Sequence, residues 1–202
     1  MEYRKLGSSD LEVSVIGYGA WGIGGAPFWN NEGDGKSRDS IKKAYDLGIN
    51  FFDTAPVYGF GHSEELIGKA LKPFRDKVII ATKCGLRWDK RSLSALRKDA
   101  SRNSILEEVD QSLKRLDMDV IDLYQVHWPD EKTDQKETME TLLEIQEKGK
   151  IRHIGVSNYS AEQIVDCLQY GKIVSLQPEF SLLARDIQND TVPICLENNI
   201  GI

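Results

Sequence analysis

The chain lacks the features that mark membrane, secreted and nucleic-acid-binding proteins. Its longest apolar runs are only of strand length, too short to cross a bilayer as a helix. The first residues, Met1 to Lys5, carry no apolar signal region. The net charge of −6 comes without a basic cluster, so we expect neither a nucleic acid nor an anionic membrane as a partner.

Cysteine and histidine are also scarce. Three cysteines, Cys84, Cys167 and Cys195, have no paired spacing, and we expect free thiols in a reducing cytoplasm. Cys84 follows Lys83 and is either a somewhat reactive thiol or, more simply, a buried inert one. The three histidines have no ligand spacing, so no metal site is predicted. The absence of a Gly-x-Ser-x-Gly elbow argues against a hydrolase.

Strand-like apolar runs alternate with helical patterns along the chain. This alternation predicts an α/β fold with a parallel sheet whose strands are buried on both faces. The 202 residues are 40% hydrophobic and 29% charged, ordinary for one globular domain over residues 1–202. Residues 1–14 predict an N-terminal β-hairpin cap with its turn at Gly7 to Asp10.

Most of the apolar runs end in polar side chains suited to chemistry. The first run, Val15 and Ile16, opens into the glycine-rich stretch Gly17 to Gly25. The side chains that follow the other five runs are Asp53, Lys83, His127, Ser157 with Asn158, and Gln177. A parallel barrel brings all its strand ends to one mouth, whereas an open sheet concentrates its site at one switch point. The distribution therefore favours a (β/α)8-type barrel.

The stretch Gly17 to Gly22 matches the dinucleotide pattern G-x-G-x-x-G. That motif requires a helix directly after the glycines, with its N-terminus on the pyrophosphate. Here Ile23 to Pro27 follows and cannot start such a helix. We therefore expect a loop at the barrel mouth instead of a Rossmann site.

The number of units is too small for a closed barrel. Six strand–helix units precede Asn199 to Ile202, which has the pattern of a seventh strand. A complete barrel needs about 250 residues, and an unclosed one leaves two sheet edges bare. Either the chain is part of a longer protein, or something else covers the gap, such as a second copy in a self-associated assembly.

Two helix boundaries carry specific predictions. Ser104 and Glu107 have the spacing of a capping box, which predicts that a helix starts at Ser104. The last helix is predicted over Asp186 to Glu197.

Four residues form a candidate catalytic group: Asp53, Tyr58, Lys83 and His127. A lone buried ammonium is costly, so Lys83 should pair with Asp53. A phenol titrates near 10, and a nearby ammonium should lower the pKa of Tyr58 until it can donate a proton to a developing alkoxide. His127 can donate a hydrogen bond to the same oxygen and orient a carbonyl.

Each of these residues taken singly also has a structural interpretation. Asp53 could cap a helix, Tyr58 and Lys83 could lie at the surface, and His127 could pack in the core. Their joint placement after strands favours function. A carbonyl site with an acid but no protein nucleophile predicts hydride delivery from a cofactor.

The motifs that contain these residues resemble those of the aldo-keto reductase family over the whole chain. They are Gly17 to Trp21, Asn50 to Ala55 with Tyr58 and Gly59, Ala81 to Lys83, Asp122 to Pro129, Gly149 to Arg152, and Ile154 to Asn158. The resemblance implies a (β/α)8 barrel that reduces aldehydes and ketones with NADPH.

The resemblance also implies a role for each matched residue. Tyr58 would be the general acid, Lys83 and Asp53 the pair that tunes it, and His127 the residue that orients the substrate. The implied ligands of the nicotinamide are Ser157, Asn158, Gln177 and the stacking ring of Phe180, which is often tyrosine in the family. Three tryptophans would wall the substrate pocket, with plain core packing as the alternative: Trp21, Trp88 and Trp128.

The last two barrel units of the family, which hold the pyrophosphate and the 2′-phosphate, have no counterpart in this sequence. We therefore expect weak NADPH binding and weak or no turnover from these residues. The alternative is a non-catalytic, cofactor-binding regulatory subunit of the same fold.

Overall fold

Strands and helices alternate along the chain in the computed structural model, which describes residues 1–30 and 33–202. The strands within these residues are Tyr3–Lys5 (β1), Glu12–Ser14 (β2), Tyr18–Gly19 (β3), Phe51–Asp53 (β4), Ile79–Cys84 (β5), Leu86–Trp88 (β6), Leu96–Lys98 (β7), Ile121–Val126 (β8), Ile151–Ser157 (β9) and Ser175–Gln177 (β10). The α-helices there are Asp34–Asp46 (α1), His62–Leu71 (α2), Arg102–Leu116 (α3), Gln135–Glu147 (α4), Ala161–Leu168 (α5) and Thr191–Glu197 (α6). This order confirms the predicted α/β class.

One parallel sheet runs through the molecule in the strand order β3-β4-β5-β8-β9-β10. Beyond β10, Gly201 forms a parallel bridge with Ser175, where the sequence predicts a seventh strand to open. Two further pairs, β1 with β2 and β6 with β7, are antiparallel.

The sheet is strongly curled. Strands β4 and β10 lie four interstrand spacings apart in the sheet order, which would be about 19 Å in a flat sheet. Yet the Nε2 atom of Gln177, on β10, lies 3.2 Å from the Oδ2 atom of Asp53, on β4. The strand ends therefore bend toward each other, as in a barrel, and their polar side chains meet on the inner side.

Each face of the sheet has its own apolar core. Successive residues of a strand point to opposite faces, so Ile80 packs in the cluster that includes the helices. Ile79 packs on the inner side against Leu11 and Val13 of the N-terminal hairpin, together with Leu123. The hairpin β1–β2 thus covers part of the inner face of the sheet.

Two elements differ in position from the sequence prediction. The first strand of the sheet is Tyr18–Gly19, not Val15 and Ile16. Those two residues are half-exposed, and the backbone N–H of Val15 donates to the carbonyl of Glu2, which prolongs the hairpin instead. The last helix begins at Thr191 because the Asp190 side chain accepts from its N–H.

The predicted capping box at Ser104 is wrong. Helix α3 begins at Arg102, so Ser104 lies inside its first turn and its hydroxyl donates to Glu108, 2.9 Å away. A true capping box stands at α5, where Ser160 and Gln163 exchange side-chain and backbone hydrogen bonds. The same residue pattern occurs at both places, and only the helix start distinguishes them.

All three cysteines are free and buried. Burial, with the nearby charge of Glu108, raises the pKa of the Cys84 thiol well above its ordinary value. Of the two interpretations of Cys84, the inert thiol therefore agrees with the structure. No helix in the described part of the chain is both long and apolar enough to cross a membrane.

Candidate active site

The ammonium of Lys83 is the centre of the site. Strands β4 and β5 pair in parallel with Asp53 opposite Ala81, so Lys83, two residues further along β5, lies on the same face just beyond the end of β4. The Nζ atom of Lys83 lies 2.7 and 2.8 Å from the two carboxylate oxygens of Asp53 and donates to the carbonyl of Thr54 at 3.0 Å. It also lies 3.4 Å from the hydroxyl of Tyr58. The structure thus brings three of the four predicted catalytic residues together.

Lys83 remains charged although its side chain is only 1% exposed. Burial by itself lowers the pKa of this ammonium. The charge of Asp53, together with the hydrogen bonds to Asp53 and Tyr58, outweighs that effect and raises the pKa above its ordinary value. The pairing of Lys83 with Asp53 is the arrangement that a buried cation requires.

The loop that carries Tyr58 is held from two sides. The 3₁₀ turn Gly22–Gly24 lies against it so closely that a Cβ atom on Gly59 would lie 2.0 Å from the carbonyl oxygen of Gly24. The backbone φ of Gly59 is +62°, a left-handed value that favours glycine. On the other side, the Ser63 hydroxyl donates to the Ala20 carbonyl at 2.8 Å. These contacts fix Tyr58 relative to Lys83.

The predicted direction of the Tyr58 pKa is wrong. Burial is the largest influence and raises the pKa, and the charge of Asp53 raises it further. Lys83 lowers it through charge and a hydrogen bond, but the net pKa lies above the ordinary value of 10.0. The sequence correctly indicated that the Lys83 ammonium lies near Tyr58, but it did not indicate how far the phenol is removed from solvent. Tyr58 is therefore fully protonated at neutral pH.

His127 follows β8 and lies beside Tyr58. The two rings are perpendicular, with 5.8 Å between their centroids. Burial, aided by the positive charge of Lys83, lowers the pKa of His127 to about 3. The imidazole is consequently neutral at ordinary pH and retains one N–H for donation.

The three predicted polar ligands of a nicotinamide meet at the ends of β9 and β10. The Ser157 hydroxyl donates to the backbone carbonyl of Gln177 at 2.8 Å, and the Asn158 amide donates to the backbone carbonyl of His127 at 2.9 Å. Among the described residues, no hydrogen bond reaches the amide oxygen of Asn158. A carboxamide needs both a donor and an acceptor, and the two amide side chains supply both.

Phe180 follows this group and is 47% exposed, so one of its faces is open to a flat ring. Together with the amides of Asn158 and Gln177, it makes a set that fits a nicotinamide. The side chain of Gln177 donates to Asp53 in this structure, which links the amide group to the candidate catalytic residues.

Aromatic rings surround the Tyr58 side of the site. The Trp21 ring lies 6.3 Å from that of Tyr58, and both Trp21 and Trp128 are nearly half-exposed, so neither packs in the core. Trp88 packs against Phe60 at 5.4 Å on the β6–β7 hairpin side. Three neighbouring rings were not predicted from the sequence: Phe28, Trp29 and Phe60.

Gln125 is a further residue of the site that was not predicted from the sequence. This residue lies two positions before His127 on β8 and therefore faces the same inner side. Its side-chain amide lies 3.4 Å from Asp53 and 3.3 Å from Gln177. The signal that could have identified it was a polar residue two positions before His127, and therefore on the same face of the strand.

Known proteins are similar to this chain in sequence and in fold. Residues 15–202 match the family model described as the Aldo/keto reductase family. The aldo-keto reductase YhdN of Bacillus subtilis (strain 168) is 44% identical over 99% of this chain and 60% of its own length. The NADH-specific methylglyoxal reductase of Escherichia coli (strain K12) is 42% identical over 100% of this chain and 66% of its own length. The chain thus spans about three-fifths of the length of the curated relatives it matches.

A solved structure gives the same result for the fold. The glycerol dehydrogenase AKR11B4 of Gluconobacter oxydans superposes with a TM-score of 0.90 and 38% identity, over 98% of this chain and 61% of its own. This likeness confirms the predicted fold, an incomplete (β/α)8 barrel of the aldo-keto reductase kind.

Proposed function

Because the chain belongs to the aldo/keto reductase family, we propose that it takes part in the reduction of aldehydes or ketones to alcohols with NADPH. One observation carries this proposal: the Tyr58 hydroxyl lies 3.4 Å from a buried ammonium, and that ammonium is held by both oxygens of Asp53. The arrangement is suited to giving up one proton and stabilising the charge that remains.

Tyr58 is the proton donor in this proposal. When bound, a reduced nicotinamide supplies the hydride that the carbonyl carbon accepts. The carbonyl oxygen then becomes an alkoxide, a much stronger base than a phenolate, so it takes the Tyr58 proton even though burial has raised the pKa of that phenol. The Lys83 ammonium stabilises the phenolate left behind, which regains a proton from water.

His127 orients the carbonyl in this scheme. Because its pKa is lowered to about 3, its imidazole is neutral and donates one N–H to the carbonyl oxygen without adding a positive charge that would compete with Lys83. We propose that Trp21, Trp88 and Trp128 form walls around the substrate. The half-exposed rings of Trp21 and Trp128 support this role over core packing.

The residues proposed to hold the nicotinamide are Ser157, Asn158, Gln177 and Phe180. NADPH is the form implied by the family resemblance, while one relative is named as NADH-specific. Both cofactors therefore belong in every binding experiment.

Three free, buried thiols support the predicted cytoplasmic location. Self-association through the open sheet edges stays a prediction, which size-exclusion chromatography tests.

The substitution Tyr58→Phe tests the proposal. It keeps the ring and removes only the proton donor, and we expect the rate of cofactor oxidation with methylglyoxal to fall by about 10²- to 10⁴-fold. Tyr124→Phe is the matched control, since Tyr124 packs among the helices on the outer face of β8 and its variant should keep the parental rate.

Two results would contradict the enzyme proposal. One is equal turnover by Tyr58→Phe and the parent. The other is saturable cofactor binding, followed by fluorescence, without any turnover of a panel of aldehydes and ketones. The second result would favour the non-catalytic, cofactor-binding subunit.

A further inference from the structure

We propose that Gln125 is a positioning residue, which holds the Asp53 carboxylate against Lys83 and thereby sets the acidity of Tyr58. The inference rests on the proposed function, because it concerns the residue proposed as the proton donor. Gln125 does not contact the Tyr58 phenol in this scheme and acts on it through Asp53 and Lys83.

Gln125 belongs to a closed ring of hydrogen bonds. Its Nε2 atom lies 3.4 Å from Oδ1 of Asp53 and 3.3 Å from Oε1 of Gln177. The Nε2 atom of Gln177 lies 3.2 Å from Oδ2 of Asp53 and completes the ring. Each carboxylate oxygen of Asp53 thus accepts one hydrogen bond from a side-chain amide and one from Lys83. This pattern satisfies both oxygens and restricts rotation of the carboxylate.

The chemistry of the partners fixes the orientation of the Gln125 amide. An ionised carboxylate can only accept, so the atom of Gln125 that faces Asp53 must be the nitrogen. The amide oxygen then faces the Ser175 hydroxyl, which lies 3.4 Å away and can donate to it. Gln125 is only 2% exposed, so water has little access to replace these partners.

A glycine on β9 makes the contact between Ser175 and Gln125 possible. The strand register aligns Lys83 with Gln125, Gln125 with Gly155, and Gly155 with Ser175, so these residues form one layer across four strands. A Cβ atom on Gly155 would lie 2.3 Å from the Ser175 hydroxyl and 3.0 Å from Cγ of Gln125. Glycine at this position leaves the space through which Ser175 reaches Gln125.

The effect on Tyr58 has a definite sign. The negative charge of Asp53 raises the pKa of the phenol, and Lys83 lowers it. An amide N–H that donates to Asp53 draws off part of the negative charge and keeps the carboxylate on Lys83. Without that N–H, the charge of Asp53 acts more strongly on the phenol, and the pKa of Tyr58 rises.

The test is the ionisation of Tyr58 in the free protein, observed by NMR of tyrosine labelled at Cζ. The chain has seven tyrosines, and the Tyr58 signal is the one that disappears in Tyr58→Phe. In Gln125→Met, a substitution of similar size without the amide, we expect the pKa of Tyr58 to rise by about 0.5 unit or more, about threefold in the dissociation constant. Ser175→Ala should shift it in the same direction by less, and Tyr124→Phe, on the opposite face of the strand, should leave it unchanged.

Kinetics give a second readout. The kcat for carbonyl reduction should fall in Gln125→Met, with a much smaller change in the KM for the carbonyl substrate. A Tyr58 pKa in both Gln125→Met and Ser175→Ala that equals the parental value would overturn the inference, and Ser175→Ala alone decides if Gln125→Met does not fold. If the chain shows no reductase activity, the NMR titration still tests Gln125 independently of the proposed reaction.

Discussion

The hydroxyl of Tyr58 lies 3.4 Å from Nζ of Lys83, and the same ammonium lies 5.1 Å from the centre of the Tyr58 ring. Tyr58 comes from the loop after β4, whereas Lys83 lies within β5. A buried cation that faces a partly buried phenol has one main chemical consequence. It stabilises the phenolate and so makes proton donation by Tyr58 less costly than burial alone would allow.

Removal of the ammonium should destabilise the fold. In Lys83→Met, the Asp53 carboxylate, whose side chain is 14% exposed, loses its only charged partner among the described residues. We expect the free energy of unfolding to drop by about 3–5 kcal/mol, measured by urea denaturation. The double variant Asp53→Asn/Lys83→Met removes both charges and should be more stable than the single variant. Equal stability of the single and double variants would contradict this account of the pair.

His127 should contribute to acid sensitivity. Its pKa is about 3 in the folded protein and near 6.5 in an unfolded chain. Between these values only the unfolded chain binds the proton, so the free energy of unfolding falls as the pH drops, by up to about 1.4 kcal/mol per pH unit. His127→Gln removes this dependence and should lose less stability between about pH 7 and about pH 5. The idea fails if both proteins lose the same amount in urea titrations at the two pH values.

Gly59→Ala should displace the Tyr58 loop. The new Cβ atom would lie 2.0 Å from the carbonyl oxygen of Gly24, and the residue would keep a strained φ of +62°. Gly149→Ala is the matched control, because Gly149 has a φ of +71° but nothing within 4 Å of an added Cβ. Both variants should lose about 1–2 kcal/mol from the left-handed backbone. Only Gly59→Ala should lose more than this in urea denaturation and also shift the Tyr58 NMR signal.

Phe180→Ala should weaken cofactor binding. Loss of a stacked ring costs about 0.5–1.5 kcal/mol, so the dissociation constant should rise by about two- to tenfold in fluorescence titrations with NADPH and NADH. Leu182→Ala removes another exposed apolar side chain from the same segment, 91% exposed, and serves as the control. Equal affinities of the two variants for both cofactors would rule out stacking on Phe180.

The parallel α/β order was predictable from the sequence because it follows from local patterns. Buried strands are apolar along their whole length, helices repeat every three to four residues, and each pattern lies within a short stretch. The boundaries were less predictable where two partners compete for the same residues. Val15 pairs with Glu2 of the hairpin, and Ser104 bonds to Glu108 within the helix, although the sequence favours another role for each.

The site was predictable as a set of residues but not as an environment. Asp53 and Lys83 lie at or near the ends of their strands and His127 directly follows its strand, so their convergence needed only the geometry of a curled parallel sheet. Gln125 was missed because its importance depends on Gln177 and Ser175, which come from a strand about 50 residues later. The direction of the Tyr58 pKa depends on burial, which no spacing in the sequence reveals.

The sequence by itself determined which chemical groups the barrel mouth carries: a carboxylate, an amine, a phenol and an imidazole, each placed by a local strand or loop pattern. Tertiary structure alone decided how those groups ionise and which neighbours share them. It set the buried charge of Lys83, the neutral state of His127 and the ring of hydrogen bonds that joins Gln125, Gln177 and Asp53. The physical reason is that pKa values and hydrogen-bond networks depend on distance and desolvation, which arise only when remote strands pack together.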